Sequence, residues 1–547
     1  MVKYVIGLLL LSCSVFAQTT LLDDISLLDV QRNAQLLNGN DSSKYENQSF
    51  MIRSTSALQE MNGKVPSEEF NLEGITFRHT VQNNSKMPLS FNQGTMYPSV
   101  GFQRRWSLGV HFTWKFLDVN LQPEWVLAEN SPSPNFAGNP QDGNYWTRIF
   151  FLINNNIDQY RYFGYEPLKT FFPGQSRIAM KFGNVATGIS TENNWWGPGF
   201  RNSLMMTNEA SGFLHYFVQN RKPIFTPIGT FEGKGLIGML ENPSMLSPED
   251  KNFRPIWPGG IENKNNSVRM LKAFMVNWQP KWVPNFYLGY SFAQQNYFTN
   301  EGPQPGKPFV ENPKMQLGSF LFRFALPKDH AEFYAELGQP DKVVGPASFF
   351  GDSTKTGFVL GGRKLFPLGK KQKSYLQLAI EFTQLQLMDP GLVIDNDNRF
   401  GGPLHNSWYT STQVRQGYTQ NGKLLGASIG PGSNSQTIYL SYHRGRSLIR
   451  MNLERFVRNN DFYVYEYYGS GHANRYWVNL TAGLEAQIGI TKNLLLGASY
   501  LYTSVNNYMW VRIEDGIADW SDSSTKSDYT NQQWQVSLKY DLPYGRR

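Results

Sequence analysis

The 547-residue chain has one cysteine, Cys13, and charged residues make up only 17% of it. Beyond its extreme N-terminus it has no run of the roughly 20 apolar residues that a membrane-crossing helix needs, and its mean hydropathy is −0.43. A helical membrane protein is thereby excluded, as is a disulfide framework. Metal chemistry lacks its usual ligands. His79, His111, His215, His330, His405, His443 and His472 are scattered, without a His-Glu-x-x-His pair or thiol partners, which disfavours zinc. Asp395-Asn396-Asp397-Asn398 lacks the glycine and distal glutamate of a calcium loop and reads as a solvated turn. No Gly-x-Ser-x-Gly elbow or phosphate-cradling loop occurs, so the usual hydrolase and nucleotide signatures are missing. Glu332 and Glu336 lie four apart on one strand face, about 13 Å from each other, too far for a glycosidase pair. The sequence reads as a non-enzyme with no cofactor and no metal.

Aromatic residues are abundant, with 38 Phe, 28 Tyr and 14 Trp, and disorder is excluded for most of the chain. Met1 to Ala17 reads as an export signal, with Lys3, an apolar core from Val5 to Leu11, and Val15-Phe16-Ala17 as the cleavage site before Gln18. A lipoprotein box, Leu10-Leu11-Ser12-Cys13, is the rival reading. Simple cleavage is preferred because Leu11 fits poorly where a small residue is usual. Export makes nucleic acid an unsuitable partner for the formal charge of +8, and anionic glycans or lipid headgroups suit it better. Leu21, Ile25, Leu28, Val30, Ala34 and Leu37 follow helical spacing until Gly39, and a second helix is expected around 54–61. Residues 18–70 therefore read as a periplasmic helical segment that packs against a larger body.

After about residue 100 the period becomes two. Trp106, Leu108, Val110, Phe112 and Trp114 alternate with Ser107, Gly109, His111 and Thr113, the pattern of a tilted transmembrane strand with lipid on one face. Leu480 to Ile490 and Leu494 to Tyr502 form a similar hairpin across Thr491-Lys492-Asn493. Charges keep to the inward parity at Arg323, Glu332, Glu336, Glu381, Glu485 and Lys539, whereas Lys272 and Arg455 break the rule. Short turns at 279–285, 327–330, 367–373, 444–447 and 491–493 alternate with long links, as in outer-membrane barrels. Seven strands are expected to begin near 74, 105, 117, 145, 178, 210 and 231, and eleven more follow residue 267. The expectation is an all-β, antiparallel transmembrane barrel of about eighteen strands spanning 71–547, in the outer membrane, with both termini in the periplasm. The stretch from Asn154 to Ser176 is too long for a periplasmic turn.

Aromatic rings beside forked donors and carboxylates suit sugar recognition, and Trp510, Arg512, Asp515 and Trp520 in the last long loop form such a set, as do Trp408 and Arg415. Interfacial aromatic girdles account for these residues equally well. The most specific stretch is Trp195-Trp196-Gly197-Pro198-Gly199-Phe200-Arg201-Asn202-Ser203-Leu204 with Asn208-Glu209-Ala210 downstream. Gly197, Pro198 and Gly199 force a tight bend beside two indoles, and Arg201 adds a guanidinium fork. Here the chain resembles the Wzi-type capsule assembly family, whose members carry a Trp-x-Gly-Pro-Gly stretch inside an outer-membrane barrel. The chain departs from the pattern in ending at Arg547 rather than on an aromatic residue. The resemblance implies eighteen strands, a periplasmic helical bundle and outer loops that hold capsular or other surface polysaccharide. Two readings of the motif stand side by side, sugar stacking by Trp195 and Trp196 or a structural plug. A diffusion porin and the scaffold of a secretion or gliding machine are the alternatives to the polysaccharide role.

Overall fold

The computed structural model describes residues 32–33, 35–37, 50, 70–133, 153, 155–159, 166–243, 264–298, 312–340, 355–369, 374–387, 407–467, 476–510 and 528–542. The alternating stretches form eighteen antiparallel staves, some in two pieces. They are β1 (Asn71–Asn84), β2 (Gly101–Trp114), β3 (Leu117–Leu121 with Glu124–Ala128), β4 (Leu168–Phe172 with Arg177–Phe182), β5 (Val185–Ser190) and β6 (His215–Asn220 with Ile224–Thr226). Then come β7 (Gly229–Leu240), β8 (Arg269–Pro280), β9 (Phe286–Tyr297), β10 (Lys314–Leu326), β11 (Ala331–Pro340) and β12 (Gly357–Leu368). The last are β13 (Ser374–Gln384), β14 (Asn434–Arg444), β15 (Ser447–Val457), β16 (Val478–Gly489), β17 (Leu494–Asn506) and β18 (Tyr529–Leu542). Each stave pairs with the next. The ring closes where Ile75 lies opposite Leu542 and Asn84 opposite Gln533, which leaves no unpaired edge to face hydrocarbon.

Parity sorts the side chains as a membrane requires. In β2, Leu108 and Trp114 are exposed while Arg105, Ser107, His111 and Thr113 are buried. Arg323, Glu332, Glu336 and Glu381 point into the lumen and are buried there. The two exceptions sit toward the long-link ends of their staves. Arg455 donates to Gln436 Oε1 at 3.0 Å, and Lys272 lies in register with Gln294, which accepts from Gln316 at 2.7 Å. Both cations thus belong to polar rows near the outer rim, where a long side chain reaches headgroups.

The count of eighteen holds, while the placement of the early strands differs from the expected one. The strand expected near 145 falls outside the described residues, the one expected near 210 begins at His215, and Val185–Ser190 is a stave not anticipated. Of the stretch from Asn154 to Ser176, Leu168–Phe172 belongs to β4 and so is strand rather than turn. Residues 32–33 and 35–37 are helical as expected, but they lie inside the barrel mouth. Leu36 O accepts from His330 Nδ1 at 2.7 Å on a short turn, and Asn33 donates to Gln377 Oε1 at 2.7 Å on β13. The helix expected around 54–61 and the Asp395–Asn398 turn lie outside the described residues.

Candidate functional site

The long link between β5 and β6 does not rise away from the barrel. It folds into the lumen, and the Trp-Trp-Gly-Pro-Gly stretch crosses it. Trp195 Nε1 donates to Gly199 O at 3.1 Å, which closes the bend, and Trp196 N donates to Met206 O at 3.1 Å. A Cβ at Gly199 would stand 1.9 Å from Asn202 O, so no other residue fits this close approach. The next three N–H groups, of Phe200, Arg201 and Asn202, reach the Glu381 carboxylate at 2.7, 3.2 and 2.8 Å. Leu204 N donates to Glu336 Oε2 at 3.1 Å. From the opposite mouth Arg32 donates to Gly197 O at 3.0 Å and also to Pro198 O. The segment is therefore held by inward carboxylates from the barrel wall and by the N-terminal helical turn from below. Unsatisfied backbone groups in such a buried place are costly, and these partners remove that cost.

Arg201 is a fork in use. Its Nε and Nη2 bind the two oxygens of Glu454 at 2.9 and 3.1 Å, its Nη1 donates to Ser428 Oγ at 3.2 Å, and its guanidinium lies over Phe91 at 4.5 Å. Bidentate geometry of this kind fixes orientation as well as charge.

A second outer link, between β13 and β14, folds down onto the first. Tyr409 OH donates to Leu204 O at 2.7 Å and accepts from Ala427 N at 2.8 Å. Trp408 is 1% exposed. Its indole donates to Lys355 O at 3.1 Å and fits a slot where a Cβ at Gly357 would stand 2.6 Å from the ring. Arg269 Nη1 donates to Gly417 O at 3.0 Å, tying the cover to the rim. A third outer link contributes α1 (Asn460–Tyr467), whose Asp461 accepts from Ser407 Oγ at 2.7 Å and Leu387 N at 3.1 Å. Burial pushes the Asp461 carboxyl up to about 7. Above β16 and β17 an aromatic stack completes the cover, with Trp477 against Tyr508 at 5.0 Å and against Trp510 at 5.9 Å, and Arg458 over Trp477 at 5.3 Å.

Of the residues singled out in the sequence, Trp195, Trp196 and Arg201 come together in the crossing segment, and Trp408 seals the cover beside it. Trp196 and Trp510 are 1% and 2% exposed, so in this conformation their ring faces meet protein. Arg415 is half-buried in the second link. Arg512, Asp515 and Trp520 lie outside the described residues. Glu381 and Glu336 were visible in sequence only as charges on the inward parity, and Glu454 was not singled out at all. Asp461 and Trp477 gave no such signal, because their partners are remote in the chain.

A closed eighteen-strand barrel, apolar outside and filled by its own outer links, defines an outer-membrane β-barrel. The model of the capsule assembly protein Wzi family matches residues 144–515, and the chain belongs to that family. Among solved structures it is similar to Wzi of Escherichia coli, an outer-membrane protein involved in group 1 capsule assembly and described as a carbohydrate-binding β-barrel. The identity is 13%, the TM-score 0.56, and the match covers 95% of this chain and 98% of that one. Similarity extends to OccAB2 of Acinetobacter baumannii, with 10% identity, a TM-score of 0.41 and coverage of 88% of this chain and 100% of that one. OprD of Pseudomonas aeruginosa matches at 9% identity and a TM-score of 0.40, over 88% of this chain and 96% of that one. A comparison with curated proteins found no match.

Proposed function

We propose that this barrel holds surface polysaccharide, capsule or exopolysaccharide, at the outer face of the cell without transforming it chemically. The observation that carries this reading is the inward folding of the outer links. A channel needs an open, polar constriction, whereas here the Gly-Pro-Gly segment and the Trp408 link occupy the lumen and are fastened to the wall by Glu381, Glu336 and Glu454. What this architecture offers instead is a rigid, aromatic-rich platform under long outer loops. Family membership and the likeness to a carbohydrate-binding barrel support the same assignment. Arg512, Asp515 and Trp520 would contact the polymer. Trp195, Trp196, Arg201, Trp408 and Trp510 would fix the platform's shape, and Arg415 would add a cation at its edge. Weak contacts repeated along a polymer add through effective concentration, so modest affinity per repeat suffices. Outer-membrane lipids are the other partners, engaging the apolar exterior and the polar rows at Lys272 and Arg455.

The test is deletion of the gene in its native host, with cell-attached and released polysaccharide measured separately. The expected result is a shift of polymer into the medium that the unaltered gene reverses. An Arg512→Ala, Asp515→Ala, Trp520→Ala variant, present in the membrane at normal levels, should fail to reverse it. Unchanged attachment after deletion would refute the role.

A further inference from the structure

The two rims of the barrel differ in charge. At the outer rim both signs are exposed, Glu129, Glu166 and Glu241 as well as Lys86, Lys169 and Lys314. At the periplasmic rim the exposed charges at and beside the short turns are Lys115, Lys281, Lys328, Arg444 and Lys492, and Asp329 is the only carboxylate among the described residues of those turns. Glu73, at the start of β1, is half-buried and accepts from Asn71 and Thr113. Among the described residues no carboxylate pairs with Lys281, Lys328, Arg444 or Lys492. Lys364 and Arg446, half-buried between them, donate to the backbone carbonyls of Asp329 and Lys492, contacts that orient a cation without cancelling its charge. Successive turns lie about 10 Å apart, two strand spacings. The cations from β8 to β17 therefore form a row along the rim rather than a pocket.

The row runs beside apolar surface. Trp282, next to Lys281, is 67% exposed. Lys115 lies between the exposed rings of Trp114 and Phe116, with its ammonium 5.6 Å from the Trp114 ring, and Phe116 stacks on the exposed Phe182 at 6.1 Å. Ile490, two residues before Lys492, is exposed as well. Exposed aromatic rings at the ends of transmembrane strands mark the depth of the headgroups, so the row stands at the level of lipid phosphates. A soluble acidic partner would meet the charges and leave the rings wet. A lipid meets both, with its phosphate at the ammonium groups and its chains against the apolar side chains.

We propose that the periplasmic rim from β8 to β17 binds anionic phospholipids of the inner leaflet through their headgroup phosphates. A zwitterionic headgroup brings a cation of its own and is the poorer match. The assignment rests on the barrel's place in the outer membrane and is independent of the polysaccharide role.

The test is native mass spectrometry of the full chain in detergent, titrated with phosphatidylglycerol, phosphatidylethanolamine or phosphatidylcholine of one acyl composition. Phosphatidylglycerol should be retained at about tenfold lower concentration than either zwitterionic lipid, each cation near an anionic surface being worth about fivefold. Raising the salt from about 0.05 M to about 0.5 M should narrow the difference, because the screening length falls from about 14 Å to about 4 Å. Substituting Lys281→Ser, Lys328→Ser, Arg444→Ser and Lys492→Ser together should abolish the preference, and Lys281→Ser with Lys328→Ser alone should reduce it. The charge-keeping set Lys281→Arg, Lys328→Arg and Lys492→Arg should retain it, as should Lys86→Ser, Lys169→Ser and Lys314→Ser at the outer rim. Equal retention of the three lipids, a preference that survives the fourfold substitution, or full displacement of the lipid by an equal concentration of glycerol 3-phosphate would overturn the proposal.

Discussion

Three successive backbone N–H groups, those of Phe200, Arg201 and Asn202, end on the single carboxylate of Glu381. Glu381→Ala should leave them without acceptors and destabilise the protein by on the order of 3 kcal/mol, read as a lower denaturation midpoint in detergent. Glu381→Gln, which keeps one carbonyl oxygen, should fall between the two, and an unchanged midpoint for Ala would mean that other acceptors take over. Asp461 makes a different prediction because its carboxyl is pushed up to about 7 in the folded chain, against about 3.9 when unfolded. A group raised in this way supports the fold fully below its unfolded value and loses that support as pH rises through the folded one. The support that Asp461 gives to its contacts with Ser407 and Leu387 should therefore fall away between about pH 4 and pH 7. Hydrogen exchange of peptides covering 385–387 and 460–467 should speed up over that window beyond its intrinsic pH dependence. Asp461→Asn, neutral at every pH and able to accept from Leu387 N while donating to Ser407 Oγ, should remove the excess.

At the scale of the strands, legibility followed length. Staves after residue 267 run 10 to 14 unbroken residues, for example Leu494–Asn506 and Tyr529–Leu542, and their alternation was read directly. Three of the seven earlier staves are broken. Leu117–Leu121 and Glu124–Ala128 share one stave, and so do Leu168–Phe172 and Arg177–Phe182, and a pattern five residues long carries little periodicity. Val185–Ser190 escaped notice because its alternation includes Gly188, which is small enough to approach Ile178 O across the pair. Position along a stave also decides what a charge costs. Phe274 faces outward near the middle of β8, so Phe274→Arg should lower folding stability in lipid vesicles by about 2–4 kcal/mol. Lys272→Leu, near the rim, should change it little. Equal effects would contradict the depth assigned to these two positions.

For the molecule as a whole, the decisive property is that its two mouths are linked through the lumen. Arg32 meets Gly197 from below, and Tyr409 meets Leu204 from above. Purified protein in planar bilayers should pass no steady current, and stable conductance steps of a porin would refute the closed reading. The motif itself was legible as a tight bend beside two indoles, with its role as a plug one of two readings. Its anchors were not, because Arg201 and Glu454 are 253 residues apart, and no local pattern encodes such a distance. The closing seam carries a consequence for biosynthesis. Ile75–Asn84 is among the first strand material to leave the ribosome and Gln533–Leu542 among the last, yet these two must zip together before the sheet has no raw edge. Closure therefore depends on the last strand, so a chain cut short before it should leave the ring open, with the raw edges of Ile75–Asn84 and of its final strand unpaired.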